Sequence, residues 1–211
     1  MLTIWGRANS VNVQKVLWCC EELGLAYERI DAGLQYGRNH EPAYLAMNPM
    51  GRVPTLVDGD FVLWESNSII RYLVMQYGGD GTHETLYPPD PRSRASVDRW
   101  LDWTLSTLQP AERPVLWGYV RTPEAKRNLK QLEADAKEVE QLWRVIDTHL
   151  KGRDHLEGAA FTLADLVIAA YARRWYGIAE LERPVLPELE RWYAQQSTRT
   201  GFQHHVSPEL T

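Results

Sequence analysis

The chain has 211 residues, which allows one large domain or two small ones, and its composition is ordinary for a soluble globular protein. A formal net charge of -5 leaves no basic stripe, which argues against nucleic acid as a partner. No apolar run approaches the ~20 residues a membrane span needs, and Met1-Leu2-Thr3-Ile4-Trp5-Gly6-Arg7 lacks the basic-then-apolar order of a signal peptide. No membrane partner and a cytoplasmic location are therefore expected.

Leu2-Thr3-Ile4-Trp5 reads as a short strand. Val13, Val16, Leu17, Cys20 and Leu23 then recur at helical spacing, and Gly24 stops that helix. The two cysteines, Cys19 and Cys20, are adjacent and fall mid-helix. This excludes a disulfide framework, suits a reducing compartment and predicts inert packing. Residues 26–30 read as a second strand. A polar stretch from Asp31 to Met47 follows, with one short helix after Pro42. Thr55-Leu56-Val57 and Phe61-Val62-Leu63 flank Asp58-Gly59-Asp60, a hairpin signal. Ile69, Ile70, Leu73, Val74 and Tyr77 mark the apolar face of a third helix, closed by Gly78-Gly79.

Strand signals vanish after this point. Leu86-Tyr87-Pro88-Pro89-Asp90-Pro91 is too rich in proline for a helix interior and reads as a linker. Residues 92–118 and 124–151 are predicted as two long helices. Phe161-Thr162-Leu163-Ala164-Asp165-Leu166 opens a buried helix, with Thr162 and Asp165 spaced for a capping box and Phe161 placed to staple onto Leu166. The last predicted helix covers Pro187 to Ser197. His204 and His205 fall in a polar tail and read as solvated rather than as metal ligands. The prediction is an α/β unit over 1–80, a linker over 81–90 and an all-α unit over 91–211.

Two local features carry chemical information. Pro54, in Asn48-Pro49-Met50-Gly51-Arg52-Val53-Pro54-Thr55, stands where a strand should begin. X-Pro bonds are where cis peptides concentrate, and a cis bond here leaves the N–H and C=O of Val53 facing outward, ready to pair with an extended peptide. Glu65-Ser66 then opens an apolar helix, whose first N–H groups favour a carboxylate. Together they describe a site for a small peptide with a free amino-acid end.

These segments, with the first strand-to-helix turn, the run Glu65-Ser66-Asn67-Ser68-Ile69-Ile70-Arg71-Tyr72-Leu73 and the Thr162–Asp165 box, resemble the cytosolic glutathione transferases over nearly the whole chain. The resemblance implies a thioredoxin-like domain followed by a helical domain that contributes the electrophile site. It also implies a homodimer, reduced glutathione as co-substrate and a small hydrophobic electrophile as second substrate, with no metal. By the same resemblance, Glu65 takes the amino group of the γ-glutamyl end and Ser66 its carboxylate. Val53, ahead of Pro54, pairs its main chain with the cysteinyl part. Arg52 and His40 are candidates for the glycyl carboxylate.

The activating group of the family lies where the first helix begins, here Arg7-Ala8-Asn9-Ser10-Val11-Asn12-Val13. Ser10 aligns with the hydroxyl used by serine-type members and Asn12 with an amide used by some bacterial ones. Asn9 is a weaker candidate. No tyrosine or cysteine stands in this turn, which disfavours the subgroups that use them. Arg7, Trp117, Tyr119 and Trp175 are candidates for the second-substrate wall. A glutathione-dependent disulfide reductase or peroxidase, and a binding module without catalysis, are the alternative readings.

Overall fold

The structure, a computed structural model, describes residues 1–79 and 85–211. The opening stretch of the expected linker, residues 81–84, and the last residue of the expected first domain lie outside the described residues. The chain divides into two compact units, one of residues 1–87 with 200–208 and one of residues 88–199 with 209–211.

In the first unit the order is β1 (Leu2–Trp5), α1 (Val11–Glu22), β2 (Tyr27–Ile30), α2 (Pro42–Met47), β3 (Thr55–Asp58), β4 (Phe61–Trp64) and α3 (Ser66–Tyr77). The sheet order is β2-β1-β3-β4. β1 runs parallel to β2, with Leu2 opposite Tyr27, and antiparallel to β3, with Leu2 opposite Asp58. The β3–β4 hairpin closes around Asp58 and Phe61, as its turn residues predict. α1 and α3 bury Val13, Val16, Leu17, Ile69, Ile70 and Leu73 together with Ile4 and Leu56 of the sheet.

Cys19 and Cys20 lie in the last turn of α1, fully buried. Burial raises both thiols, Cys20 to about 12, so neither ionises near neutrality.

Residues 200–208 depart from the sequence reading, which placed them in the helical domain as a tail. Thr200–His205 form a short helix, α9, packed on α1. Phe202 meets Trp18 edge-on, with ring centroids 5.5 Å apart. Gly201 is needed there: a Cβ at that position would lie 2.2 Å from Trp18 Cδ1. His204 and His205 both contact Glu21 on α1, at 2.8 and 2.7 Å; His204 stays exposed to solvent, as expected, whereas His205 is largely withdrawn from it.

The second unit holds α4 (Pro91–Trp103), α5 (Gln109–Leu116), α6 (Leu129–His149), α7 (Leu163–Gly177) and α8 (Pro187–Ser197). The single helix predicted over 92–118 is interrupted. Thr104–Leu108 forms a wide π-type turn, with Gln109 N–H donating to the Thr104 carbonyl. Pro110 explains the break: it has no N–H, and its ring would clash with the carbonyl four residues back. A second wide turn, Trp117–Arg121, ends the segment through a 2.8 Å bond from Thr122 N–H to Trp117 O. The helix predicted from 124 begins instead at Leu129, after a short 3₁₀ turn at Glu124–Lys126.

α7 is the axis of this unit and is buried over most of its length. The expected capping box is present. The buried Asp165 carboxylate accepts from Leu156 N at 2.8 Å, Thr162 N at 3.0 Å and Trp192 Nε1 at 2.9 Å. Burial pushes its carboxyl up, and these donors oppose the rise.

Candidate functional site

Three chain segments of the first unit meet at Val53. The first is the turn between β1 and α1. Gly6 continues the sheet through a 2.8 Å bond to Ile30 O, and Arg7 N–H donates to Ala32 O at 3.1 Å. Gly6 has no Cβ because there is no room for one: it would lie 2.4 Å from Val13 Cγ2 and 3.3 Å from Val53 Cβ. Next comes the loop after β2, where a Cβ on Gly33 would meet Val53 Cγ1 at 3.5 Å and the Arg7 guanidinium at 3.3 Å. Residues 51–54 form the third segment, and the start of α3 is tied to α1 through Ser66 and Asn12.

The 51–54 segment is held from below. Tyr44 Oη donates to Arg52 O at 2.6 Å, and Asn48 Nδ2 donates to the same oxygen at 2.8 Å. Asn39 Nδ2 donates to Gly51 O at 2.6 Å. The Val53–Pro54 bond is cis. Among the described residues, no hydrogen bond engages the main chain of Val53. The Arg52 side chain is exposed. His40 is exposed too, with its ring against Gly51: a Cβ there would come within 2.9 Å of His40 Nδ1.

Glu65 stands at the cap position of α3 with φ 70 and ψ 109, a region that costs a non-glycine residue energy. Its side chain is exposed and makes no capping bond. The N–H groups of Ser66 and Ser68, in the first turn, have no partner among the described residues. They form the positive end of a 12-residue helix. Ser66 is 3% exposed, and its hydroxyl donates to Asn12 Oδ1 at 3.2 Å.

This last bond ties α1 to α3, and a second one reinforces it. Lys15 is completely buried, and its ammonium donates to Asn67 Oδ1 at 2.8 Å. Ser10 is the cap residue of α1, 6% exposed, yet its hydroxyl makes no capping bond. It is therefore not the ordinary N-cap its position would suggest. Its main chain does the usual work, with Ser10 O accepting from Val13 and Gln14 N–H at 2.8 Å each.

Of the predicted glutathione residues, Asn12 and Ser66 are bonded to each other, Val53 lies against the Gly6 and Gly33 turns, and His40 lies against Gly51. The second-substrate candidates are divided between the two units. Arg7 lies within the same convergence, beside Gly33. Trp175 is 1% exposed in the core of the helical unit, its ring 6.4 Å from Trp143. A side chain with no free surface cannot form a wall, so Trp175 is a packing residue. Trp117 is 40% exposed, with Arg113 and Arg121 over its ring at 5.4 and 4.9 Å. Tyr119 lines an open groove of about 780 Å³ with Leu129, Ala136 and Leu181. Burial, then Glu133 and Glu180, raise its phenol.

Lys15, Asn67, Tyr44 and Asn48 support the site and were not singled out from the sequence. A lysine inside the apolar run of α1 was the available signal. Among the described residues, no group of three or more His, Cys, Asp or Glu side chains could hold a metal ion. No helix described is long and apolar enough to cross a membrane.

Residues 1–75 match the N-terminal domain of glutathione S-transferases, and residues 103–199 match the C-terminal domain. Glutathione S-transferase GstB of Escherichia coli is 42% identical over 208 residues, covering 98% of both chains. Glutathione S-transferase 3 of Zea mays is 30% identical, covering 98% of this chain and 93% of that one. A theta class glutathione S-transferase from Xanthomonas axonopodis pv. citri, solved with glutathione bound, is similar in structure. It shows a TM-score of 0.93 and 45% identity, over 100% of this chain and 99% of that one. With both domain families matched in order and relatives aligned end to end, the chain belongs to the glutathione S-transferase family.

Proposed function

We propose that the protein is a glutathione transferase of the serine/asparagine type, which binds reduced glutathione, stabilises its thiolate and joins it to a small electrophile. One observation carries the reading. The opening turn of α3 has no side-chain cap, a strained Glu65 stands at its entrance, and Ser66 is bonded across to Asn12. Such a turn suits the α-carboxylate of the γ-glutamyl end, and the Glu65 carboxylate suits its amino group. The unpaired main chain of Val53 suits the cysteinyl N–H and C=O. His40 and Arg52 supply positive or donor groups for the glycyl carboxylate.

Ser10 and Asn12 take different roles in this reading. Asn12 Oδ1 is engaged by Ser66, so it positions the residue that grips the γ-glutamyl end. The Ser10 hydroxyl has no acceptor among the described residues and sits at the N-terminus of α1, where donor and dipole both favour a thiolate. A free thiol of pKa about 8.5 is about 3% ionised at pH 7, whereas at about 6.5 it is roughly 75% ionised. That is about 25-fold more nucleophile. The deeply buried Cys19 and Cys20 are unsuited to thiol exchange, so glutathione supplies the only working sulfur here. Their free, buried state also fits a cytoplasmic protein.

The homodimer expected of the family finds support in Phe61, Val62 and Met75, which leave 43, 36 and 58% of their surface exposed on β4 and α3. Light scattering at micromolar concentration tests it.

The test of function is Ser10→Ala with an aryl halide. The expected result is a fall in kcat of about tenfold or more, a rise in the pH at which turnover reaches half its maximum, and little change in glutathione affinity. Asn12→Ala should instead weaken glutathione binding. Unchanged turnover in the double variant would refute both roles. Faster turnover of a mixed disulfide than of any aryl halide would favour the reductase alternative, and failure to bind immobilised glutathione would favour a non-catalytic module.

A further inference from the structure

The first turns of α6 and the segment between α7 and α8 leave a groove that lies wholly within the helical unit. Leu129, Glu133, Ala136 and Glu140 recur at three- and four-residue spacing, so one face of α6 lines it. From Leu129 to Glu140 the helix rises about 16 Å. Glu180, Leu181 and Glu182 line it from the other segment, together with Tyr119. The volume, about 780 Å³, is in the range of sites that take a small organic molecule.

The lining is of two kinds. Ala136 and Leu181 supply buried apolar surface, and Leu129 leaves 57% of its own exposed. Around Tyr119 the lining is acidic. Its phenol is raised first by burial and then by Glu133 and Glu180, with Glu182 adding to the rise and Arg127 opposing it. Three carboxylates thus act on one hydroxyl, and one cation answers them.

That cation is already committed. Arg127 Nη1 donates to Glu180 Oε2 and Nη2 to Tyr119 O, at 2.6 Å each, while Nε donates to Thr122 O at 3.1 Å. Arg183 is turned to the end of α7, where it donates to Trp175 O and Ile178 O at 3.1 and 2.7 Å. Glu140 is paired with Arg144 at 2.6 Å. Among the described residues, no cation lies within ion-pair distance of Glu133 or Glu182, Lys137 one turn away included. The positive end of α6 opposes a bound cation only weakly, because its field falls off within the first turn and Glu133 stands beyond that turn.

A positive charge entering here meets two unpaired carboxylates and a phenol oxygen able to accept. An apolar body attached to that charge covers Leu129, Ala136 and Leu181. An anion would meet the same carboxylates as repulsion.

We propose that this groove binds an amphipathic organic cation, a protonated amine carried on an apolar chain or ring. Glu133, Glu182 and Tyr119 hold the ammonium, and Leu129, Ala136 and Leu181 hold its body. The ligand binds and leaves unchanged. The site stands apart from the glutathione reading, whose binding residues all belong to the other unit.

The experiment titrates the full chain with dansylcadaverine, followed by its own fluorescence. The comparison is the N-acetyl derivative, which keeps the ring and chain and lacks the charge. The amine should bind about fivefold or more tightly than the acetylated form, and the difference should shrink as salt rises. Glu133→Gln combined with Glu182→Gln should bring the two affinities close to equal. Lys137→Ala, which removes a competing cation, should raise the amine's affinity about twofold. Leu129→Ser should weaken both probes alike. These four side chains are exposed, so their substitution is structurally mild, and circular dichroism confirms each fold. Equal binding of the two probes by the unmodified protein would overturn the proposal. So would a preference that survives in the double variant and disappears in Glu65→Gln, since the amine would then sit with the glutathione residues. Light scattering covers the remaining occupant: a smaller assembly in Leu129→Ser, with no amine preference in the unmodified protein, would give the groove to a second copy of the chain. Failure to bind glutathione would sink the transferase reading and leave this site standing.

Discussion

Glu65 sets a local cost against a proposed role, and the two can be separated. Its backbone sits at φ 70 and ψ 109, outside the left-handed well that asparagine or aspartate tolerates. Holding a non-glycine residue there costs about 1–3 kcal/mol. The side chain is exposed and makes no capping bond that would repay this. Glu65→Gly removes the strain but frees the unfolded chain, which takes back roughly 0.4–1 kcal/mol. The expected balance is a stabilisation of about 1 kcal/mol, or an upward shift of about 2–4 °C in thermal midpoint for a chain of this length. Glutathione affinity should fall by about tenfold to a hundredfold, because a charged hydrogen-bond partner is lost. Glu65→Gln separates the two effects: it keeps the strained backbone, so its midpoint stays near the starting value while affinity drops. Scanning calorimetry and glutathione titration read both quantities on the same samples. A lower midpoint for Glu65→Gly would refute the strain argument. Undiminished glutathione affinity in Glu65→Gly would refute the ligand role.

Three further outcomes follow from the packing and the buried charges. Gly201→Ala places a methyl 2.2 Å from a Trp18 ring that has no exposed surface to yield, so α9 should lift from α1, at a cost of about 1–3 kcal/mol in chemical denaturation. Glu112 holds its proton up to about pH 7 in the folded state because burial outweighs the attraction of Arg174, whereas the unfolded group ionises near 4.3. Between those values the native chain binds more protons than the unfolded one. Its contribution is therefore fully present at low pH and lost as pH rises through about 7, a span on the order of 3 kcal/mol that Glu112→Gln should flatten. Cys19 and Cys20, raised by burial, should resist iodoacetamide at pH 8 in the native protein and react with two equivalents once denatured; labelling of the native chain would contradict the packing of α1.

The fold was legible wherever local chemistry and burial agreed. The period-two and helical patterns of the first seventy-nine residues translate directly into β1 to α3, because each apolar face has one sheet or helix to cover. The Thr162–Asp165 box was readable for the same reason, since both partners lie within one turn. The helix over 92–118 failed because apolar periodicity continues through Pro110 while the hydrogen-bond ladder does not; periodicity reports burial, not donors. α9 was missed because Thr200 to His205 looks polar when read alone. Its helix exists through contacts across nearly the whole chain, Phe202 on Trp18 and His205 on Glu21, which no local window contains.

The candidate site divides along the same line. Glu65, Ser66, Val53 and Pro54 announce themselves by residue type at a helix start and a strand start. The supports do not. Tyr44 and Asn48 act on Arg52 through its carbonyl, an atom that every residue has, so their role depends wholly on placement. Lys15 is the sharpest case. A fully buried ammonium is costly unless paired, and Asn67 of α3 meets the one in α1 at 2.8 Å. With the Ser66–Asn12 bond, it locks the helix that presents Ser10 to the helix that presents Ser66. If glutathione's sulfur and its γ-glutamyl end are gripped by those two residues, the distance between the grips is set by the α1–α3 contact. Lys15→Met then keeps the volume and removes the pin. It should raise the KM for glutathione and lower kcat together while leaving the titration of the bound thiol where it was. A shift of that titration with no change in KM would show that Lys15 acts on the sulfur by its charge, and the pinning argument would fail.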